Sequence, residues 1–108
     1  MPFVNLKTNV EVKNKEKVMN AIWELISIIP GKTPARTMIS IEDKLAMGFA
    51  GIQEPCAMIE TLVNPGTDME KNPEYCLAII DRIKKELDLP EKRIYATVAM
   101  VDCWRSIK

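Results

Sequence analysis

The sequence predicts an α+β fold of βαββαβ order, a four-stranded mixed sheet carrying two helices on one face. Two stretches have apolar residues at helical spacing, short alternating stretches flank each of them, and a proline signal recurs at the same place in both halves. Phe3 to Thr8 sets Val4 and Leu6 against Phe3, Asn5 and Lys7, with the β-branched and aromatic content of a strand. Asn14 can cap the helix that follows, where Val18, Ile22, Leu25, Ile26 and Ile29 form an apolar stripe and Pro30-Gly31 ends it.

After Pro34, Thr37 to Glu42 alternates as a second strand, and Met47 to Pro55, with Gly48, Gly51 and Pro55, reads as a loop. Ala57 to Val63 is a third strand closed by the turn Asn64-Pro65-Gly66. Asn72-Pro73 reads as a helix start, a capping residue followed by proline at the first helical position. Cys76, Ile79, Ile80, Ile83 and Leu87 then make the buried stripe, Pro90 closes the segment, and Arg93 to Val101 is a fourth strand. Pro34 and Pro90 each stand three residues ahead of a strand, just after an amphipathic helix, so the halves repeat in kind. The expected organisation is one domain over residues 1–108 made of two βαβ halves, about 2–43 and 57–101. Right-handed crossovers make the strands within each half parallel and put both helices on one side. The other sheet face is left to pack on something else, most simply further copies of the chain.

Composition excludes several classes. Fifteen Lys plus Arg balance fifteen Asp plus Glu, with no basic face for nucleic acid. No apolar run approaches the ~20 residues of a membrane span, and Pro2 to Val10 lacks the apolar core of a signal peptide, so a cytoplasmic location is expected. Cys56, Cys76 and Cys103 are an odd count with wide spacing and no Cys-x-x-Cys, as for reduced, core-packed thiols. No metal site and no cofactor are expected. Trp23 and Trp104 are expected to pack rather than bind.

With no histidine in the chain, a different proton acceptor draws notice. Removal of Met1 would leave Pro2 as a secondary amine at the head of a hydrophobic strand. An α-amine normally titrates near 8, and burial together with a nearby cation would lower that value into the range of a usable base.

Pro2 leading the first strand, Thr8-Asn9-Val10 after it, Gly31-Lys32 with Pro34, Glu54-Pro55-Cys56-Ala57 and Asp88 to Tyr95 together resemble the macrophage migration inhibitory factor family of the tautomerase superfamily. The resemblance runs to about Val98. It implies a homotrimer with active sites at subunit boundaries, and keto-enol tautomerisation of phenylpyruvate-like, enolisable 2-oxo acids. Matched residue by residue, Pro2 takes the place of the catalytic base, Lys32 of the lysine that holds the substrate carboxylate, and Tyr95 of the tyrosine lent by a neighbouring subunit. It also admits secretion outside the classical route.

The chain departs from that family at three places. Thr97 stands where an asparagine is usual, Pro65 removes a backbone donor from the turn after strand three, and the tail ends early at Lys108. A non-catalytic, cytokine-type binding protein of the same trimeric fold is therefore the alternative, and a ferredoxin-like interaction domain is a third. Catalysis by Pro2 requires that Met1 be removed, because the nitrogen of an internal proline is an amide without basicity.

Overall fold

A computed structural model describes residues 1–107. Strand β1 (Phe3–Thr8) leads to helix α1 (Lys15–Leu25), strands β2 (Met38–Glu42) and β3 (Ala57–Val63), helix α2 (Asn72–Leu87) and strand β4 (Ile94–Met100). The sheet order is β2-β1-β3-β4. β1 runs parallel to β2, β3 runs parallel to β4, and the two pairs meet antiparallel between β1 and β3. A single 3-10 turn precedes the second strand of each half, Pro34–Arg36 before β2 and Glu91–Arg93 before β4, each at or just after the recurring proline.

The pleat sorts the strand side chains. Val4 and Leu6 of β1 and Ile59 and Val63 of β3 turn to the helices and are fully buried against Ile22, Ile26, Ile79 and Ile83. Each such side chain contributes roughly 2 kcal/mol by leaving water. The opposite face carries Phe3, Asn5 and Lys7 beside Met38, Ser40 and Glu42 of β2, and Met58, Glu60 and Leu62 beside Tyr95, Thr97 and Ala99 of β4. Its centre is a polar band: Ser40 Oγ donates to Asn5 Oδ1 at 2.8 Å, Asn5 Nδ2 to Glu42 Oε2 at 2.9 Å, and Lys7 pairs with Glu60 at 3.3 Å. Among the described residues no helix or strand covers this face, and Met38 and Tyr95 are 70% and 60% exposed on it.

Helix ends differ in part from expectation. Asn14 does cap α1, its Oδ1 accepting from the Lys17 backbone at 3.0 Å. The helix gives way to a 3-10 turn at Ile26–Ile28 before Ile29 turns extended, so Pro30-Gly31 follow the end rather than form it. Asn72 is not a cap. The chain already turns at Met69 and Lys71, where Met69 O accepts from Asn72 N and Lys71 O from Tyr75 N, so Lys71 caps and Asn72 lies in the first turn with its Oδ1 buried and unpartnered. β2 starts one residue later than expected: Thr37 closes the 3-10 turn, its hydroxyl donating to Thr33 O at 2.7 Å and its carbonyl accepting from Trp23 Nε1 at 3.0 Å. All three cysteines are free, but only Cys56 is buried; Cys103 lies beyond β4, off the sheet, and is exposed.

Tyr75 lies four residues before Ile79 on the buried stripe of α2 and is fully enclosed, its hydroxyl 2.8 Å from that of Thr61 on β3. Burial pushes the Tyr75 hydroxyl up to about 12, with the Thr61 hydrogen bond acting against that rise. Its proton is thus held more tightly folded than unfolded, where tyrosine titrates near 10. The stability this gives is complete below pH 10 and is lost as pH rises towards 12. Tyr75→Phe is expected to lower stability by about 1 kcal/mol at pH 7. It should also remove on the order of 2 kcal/mol of the wild-type loss between pH 10 and 12. Urea unfolding across that range checks both, and an unchanged midpoint at pH 7 with an unchanged alkaline loss would contradict the buried hydroxyl pair.

Candidate functional site

The start of β1 is fixed by its neighbours on both sides. On one, Pro2 is buried and its carbonyl accepts the Met38 backbone N–H at 3.0 Å, extending the parallel ladder. On the other, the antiparallel register pairs Phe3 with Leu62, so the end of β3 and the turn after it lie against Met1 and Pro2. In that turn Pro65 and Gly66 occupy the second and third positions, Gly66 at φ +83°, as a type II turn requires. Thr67 closes it, its hydroxyl donating to Asn64 O at 2.7 Å.

Asn64 thereby has its side chain directed at the chain start. Its Oδ1 accepts from the Met1 α-amine at 3.1 Å and from Lys32 Nζ at 2.7 Å. Lys32 reaches this point because Gly31, at φ +79°, reverses the chain after the first helix, and Lys32 N then donates to Ile29 O at 3.1 Å. Arg36 ends the 3-10 turn just before β2, close enough for its charge to act on the Met1 α-amine. Among the described residues, neither Lys32 nor Arg36 has a carboxylate oxygen within 4.0 Å. The tail returns to the same place, with Val101 N donating to Val63 O at 2.9 Å and Ser106 Oγ lying 3.5 Å from Met1 Sδ.

These surroundings hold the α-amine below its ordinary value of 8.0, first by desolvation, then by the charge and hydrogen bonding of Lys32, and last by the charge of Arg36. Both effects favour the neutral amine, the form that can accept a proton.

Of the residues singled out in the sequence, Pro2 and Lys32 come to one end of the sheet, joined through Met1 and Asn64. Tyr95 does not. It pairs with Met58, four residues along β3 from Leu62, about 13 Å from the Phe3 end at the usual strand rise. There it packs on Phe49 with ring centroids 4.9 Å apart, beside an apolar concavity lined by Met47, Cys56 and Met58. Arg93 lies over Phe49 and donates to four carbonyls of the 47–55 loop, those of Phe49, Ile52, Glu54 and Pro55. Thr97 faces Glu60 on the open side of the sheet. Asn64 and Arg36 were not singled out by sequence. The signal for Asn64 is the antiparallel pairing of β1 with β3, which brings the turn after Leu62 to the chain start, and Arg36 arrives with the 3-10 turn that precedes β2. Among the described residues no group of three or more His, Cys, Asp or Glu could hold a metal ion, and no helix is long and apolar enough to cross a membrane.

A mixed four-stranded sheet with two helices on one face, and an amine, a lysine and a turn asparagine gathered at the head of its first strand, defines a small α+β class. The chain belongs to the macrophage migration inhibitory factor family, whose model matches residues 1–107. Solved structures agree in fold. MIF2 of Leishmania major superposes with a TM-score of 0.84 at 22% identity, over 96% of this chain and 93% of that one. The macrophage migration inhibitory factor-like protein of Entamoeba histolytica gives 0.81 at 13% identity, over 93% and 88%. The factor from Trichinella spiralis gives 0.74 at 17%, over 93% and 89%. At these identities the likeness is one of fold. No curated protein sequence is similar enough to count as a match.

The amine itself is measurable. Reaction of the α-amine with an aryl fluoride as a function of pH should give a midpoint below 8.0, and Lys32→Ala should return part of that displacement, the remainder being desolvation. A midpoint identical in wild type and Lys32→Ala would contradict the proximity of the two nitrogens.

Proposed function

We propose that this protein is a keto-enol tautomerase acting on phenylpyruvate-like 2-oxo acids, with Pro2 as catalytic base once Met1 has been removed. The observation that carries it is that the chain-terminal amine and Lys32 Nζ share one oxygen, that of Asn64, at the buried head of β1. Removal of Met1 moves the free amine one residue inward, to the ring nitrogen of buried Pro2. The same desolvation and the same cations then act on a secondary amine.

The chemistry is a proton transfer with no other change in atoms or electrons. Neutral Pro2 takes the enol hydroxyl proton, becomes a secondary ammonium, and returns the proton to the carbon adjacent to the forming carbonyl. Lys32 pairs with the substrate carboxylate and stabilises the negative charge that develops on the enolate oxygen. One cation thus serves the base, by keeping it unprotonated, and the substrate, by binding it.

Tyr95 enters through assembly. Its aromatic wall and Pro2 lie at opposite ends of one sheet, so a single chain cannot bring them to one pocket. The open sheet face, with Met38 and Tyr95 exposed, supports a homotrimer in which Tyr95 of one copy completes the site of another. The Phe49–Tyr95 stack would then receive the aromatic end of the substrate.

One preparation tests these points together. Intact mass is expected to show the chain beginning at Pro2, gel filtration to give a trimer, and Pro2→Gly to lower phenylpyruvate ketonisation roughly 10²-fold. Retention of Met1, or a rate unaltered by Pro2→Gly, would overturn the role of Pro2 and favour a binding protein of the same fold. Elution at monomer size would overturn the shared site.

A further inference from the structure

We propose that Asn64 is a built-in occupant of the carboxylate subsite: its side-chain oxygen holds the place that a substrate oxygen must take on Lys32, so that ligands bind by displacing it. The inference rests on the tautomerase reading above for the identity of the ligand, and on the geometry alone for the competition.

Three features support it. The Lys32 Nζ to Asn64 Oδ1 distance of 2.7 Å is that of a charge-assisted hydrogen bond, the contact a carboxylate oxygen would make. Three basic groups, the α-amine, Lys32 and Arg36, gather at this end of the sheet. For Lys32 and Arg36 no carboxylate of the described residues lies within 4.0 Å. A neutral amide oxygen orders Lys32 but lacks the charge of a carboxylate, so it yields to an anion. The Thr67 hydroxyl holds the Asn64 backbone carbonyl at 2.7 Å and lies a longer 3.3 Å from Oδ1, so the side chain can swing out while the turn keeps its shape.

The arrangement explains how the site functions with Pro65 in its turn. A backbone donor is absent at that position, and the turn instead supplies a side chain that preorganises Lys32 before the ligand arrives. The Lys32–Asn64 bond does not involve Met1, so it is expected both before and after Met1 is removed. The apparent affinity for any carboxylate is reduced by the fraction of molecules in which Asn64 occupies the subsite. Ligands without an anionic oxygen have little to displace it with, which makes Asn64 a specificity-determining residue.

The test uses 3-phenylpropionate, a carboxylate without an oxo group that cannot turn over, titrated calorimetrically into the full-length protein. Asn64→Ala should bind it roughly three- to tenfold more tightly than wild type. Asn64→Ser, whose hydroxyl is too short to reach Lys32, should shift in the same direction and serves if Asn64→Ala fails to fold. Asn64→Asp, which sets a carboxylate against Lys32, should bind roughly tenfold more weakly or worse. Weaker binding in Asn64→Ala and Asn64→Ser would overturn the proposal in favour of an asparagine that donates to the ligand. Equal binding in Asn64→Asp and wild type would overturn it by removing the side chain from the subsite. Lys32→Ala separates the two readings. If it binds the probe as wild type does, the carboxylate role of Lys32 falls, whereas a wrong order among the Asn64 variants with Lys32→Ala impaired overturns the occupant alone.

Discussion

The antiparallel pairing of β1 with β3 is the seam on which the molecule depends. Each half closes its own parallel pair over its own helix, and only this seam joins the halves into one sheet. Its register also decides which groups meet at the head of β1. With Phe3 opposite Leu62, the chain start meets the turn after β3, and the ladder from Pro2 O to Met38 N brings the Lys32–Arg36 connection to the other side. A slip of one residue would invert the faces of β1, exposing Val4 and Leu6 and carrying Met1 away from Asn64.

The electrostatic pattern follows from that placement. The chain has as many acidic as basic residues, yet the carboxylates pair elsewhere: Glu24 with Arg82, Asp43 with Lys15, Asp81 with Lys85 and Glu91 with Lys84. Such surface pairs add little stability each. Among the described residues they leave Lys32 without a carboxylate partner, and it shares the Asn64 amide oxygen with the α-amine. Like charges in a partly desolvated place disfavour protonation of the amine, and the same excess of positive charge is what a carboxylate would relieve.

Much of the fold was legible because its signals are local. The stripes Val18-Ile22-Ile26 and Ile79-Ile83 are periodic, and the strands alternate, so β1 and β3 fall where the pattern sets them and β2 and β4 within a residue at each end. Tyr75 continues the second stripe by a further step of four but carries a hydroxyl, and only Thr61 on β3 explains why it can be buried. Asn72 departs from expectation because a capping residue before proline is a local preference, and the turn at Met69 and Lys71 overrides it by starting the helix earlier. At the head of β1, Pro2 stands out by chain position, whereas Lys32 stands out only through the family resemblance that Gly31-Lys32 and Pro34 help to carry. Asn64 does neither. The local signal of its turn is the donor that Pro65 removes, whereas the contact of its side chain with Lys32, thirty-two residues away, depends on the sheet register.

The most direct measurement is the pH dependence of kcat/KM for phenylpyruvate ketonisation by protein whose mass shows that it begins at Pro2. A free amine acting as base must be unprotonated, so the rate should rise with pH through the amine's own titration and level off above it. If burial and the Lys32 and Arg36 cations act on Pro2 as they act on the α-amine of Met1, the midpoint lies below the ordinary α-amine value of 8.0. A midpoint at or above that value, or a profile without this limb, would contradict a catalytic amine at the head of β1.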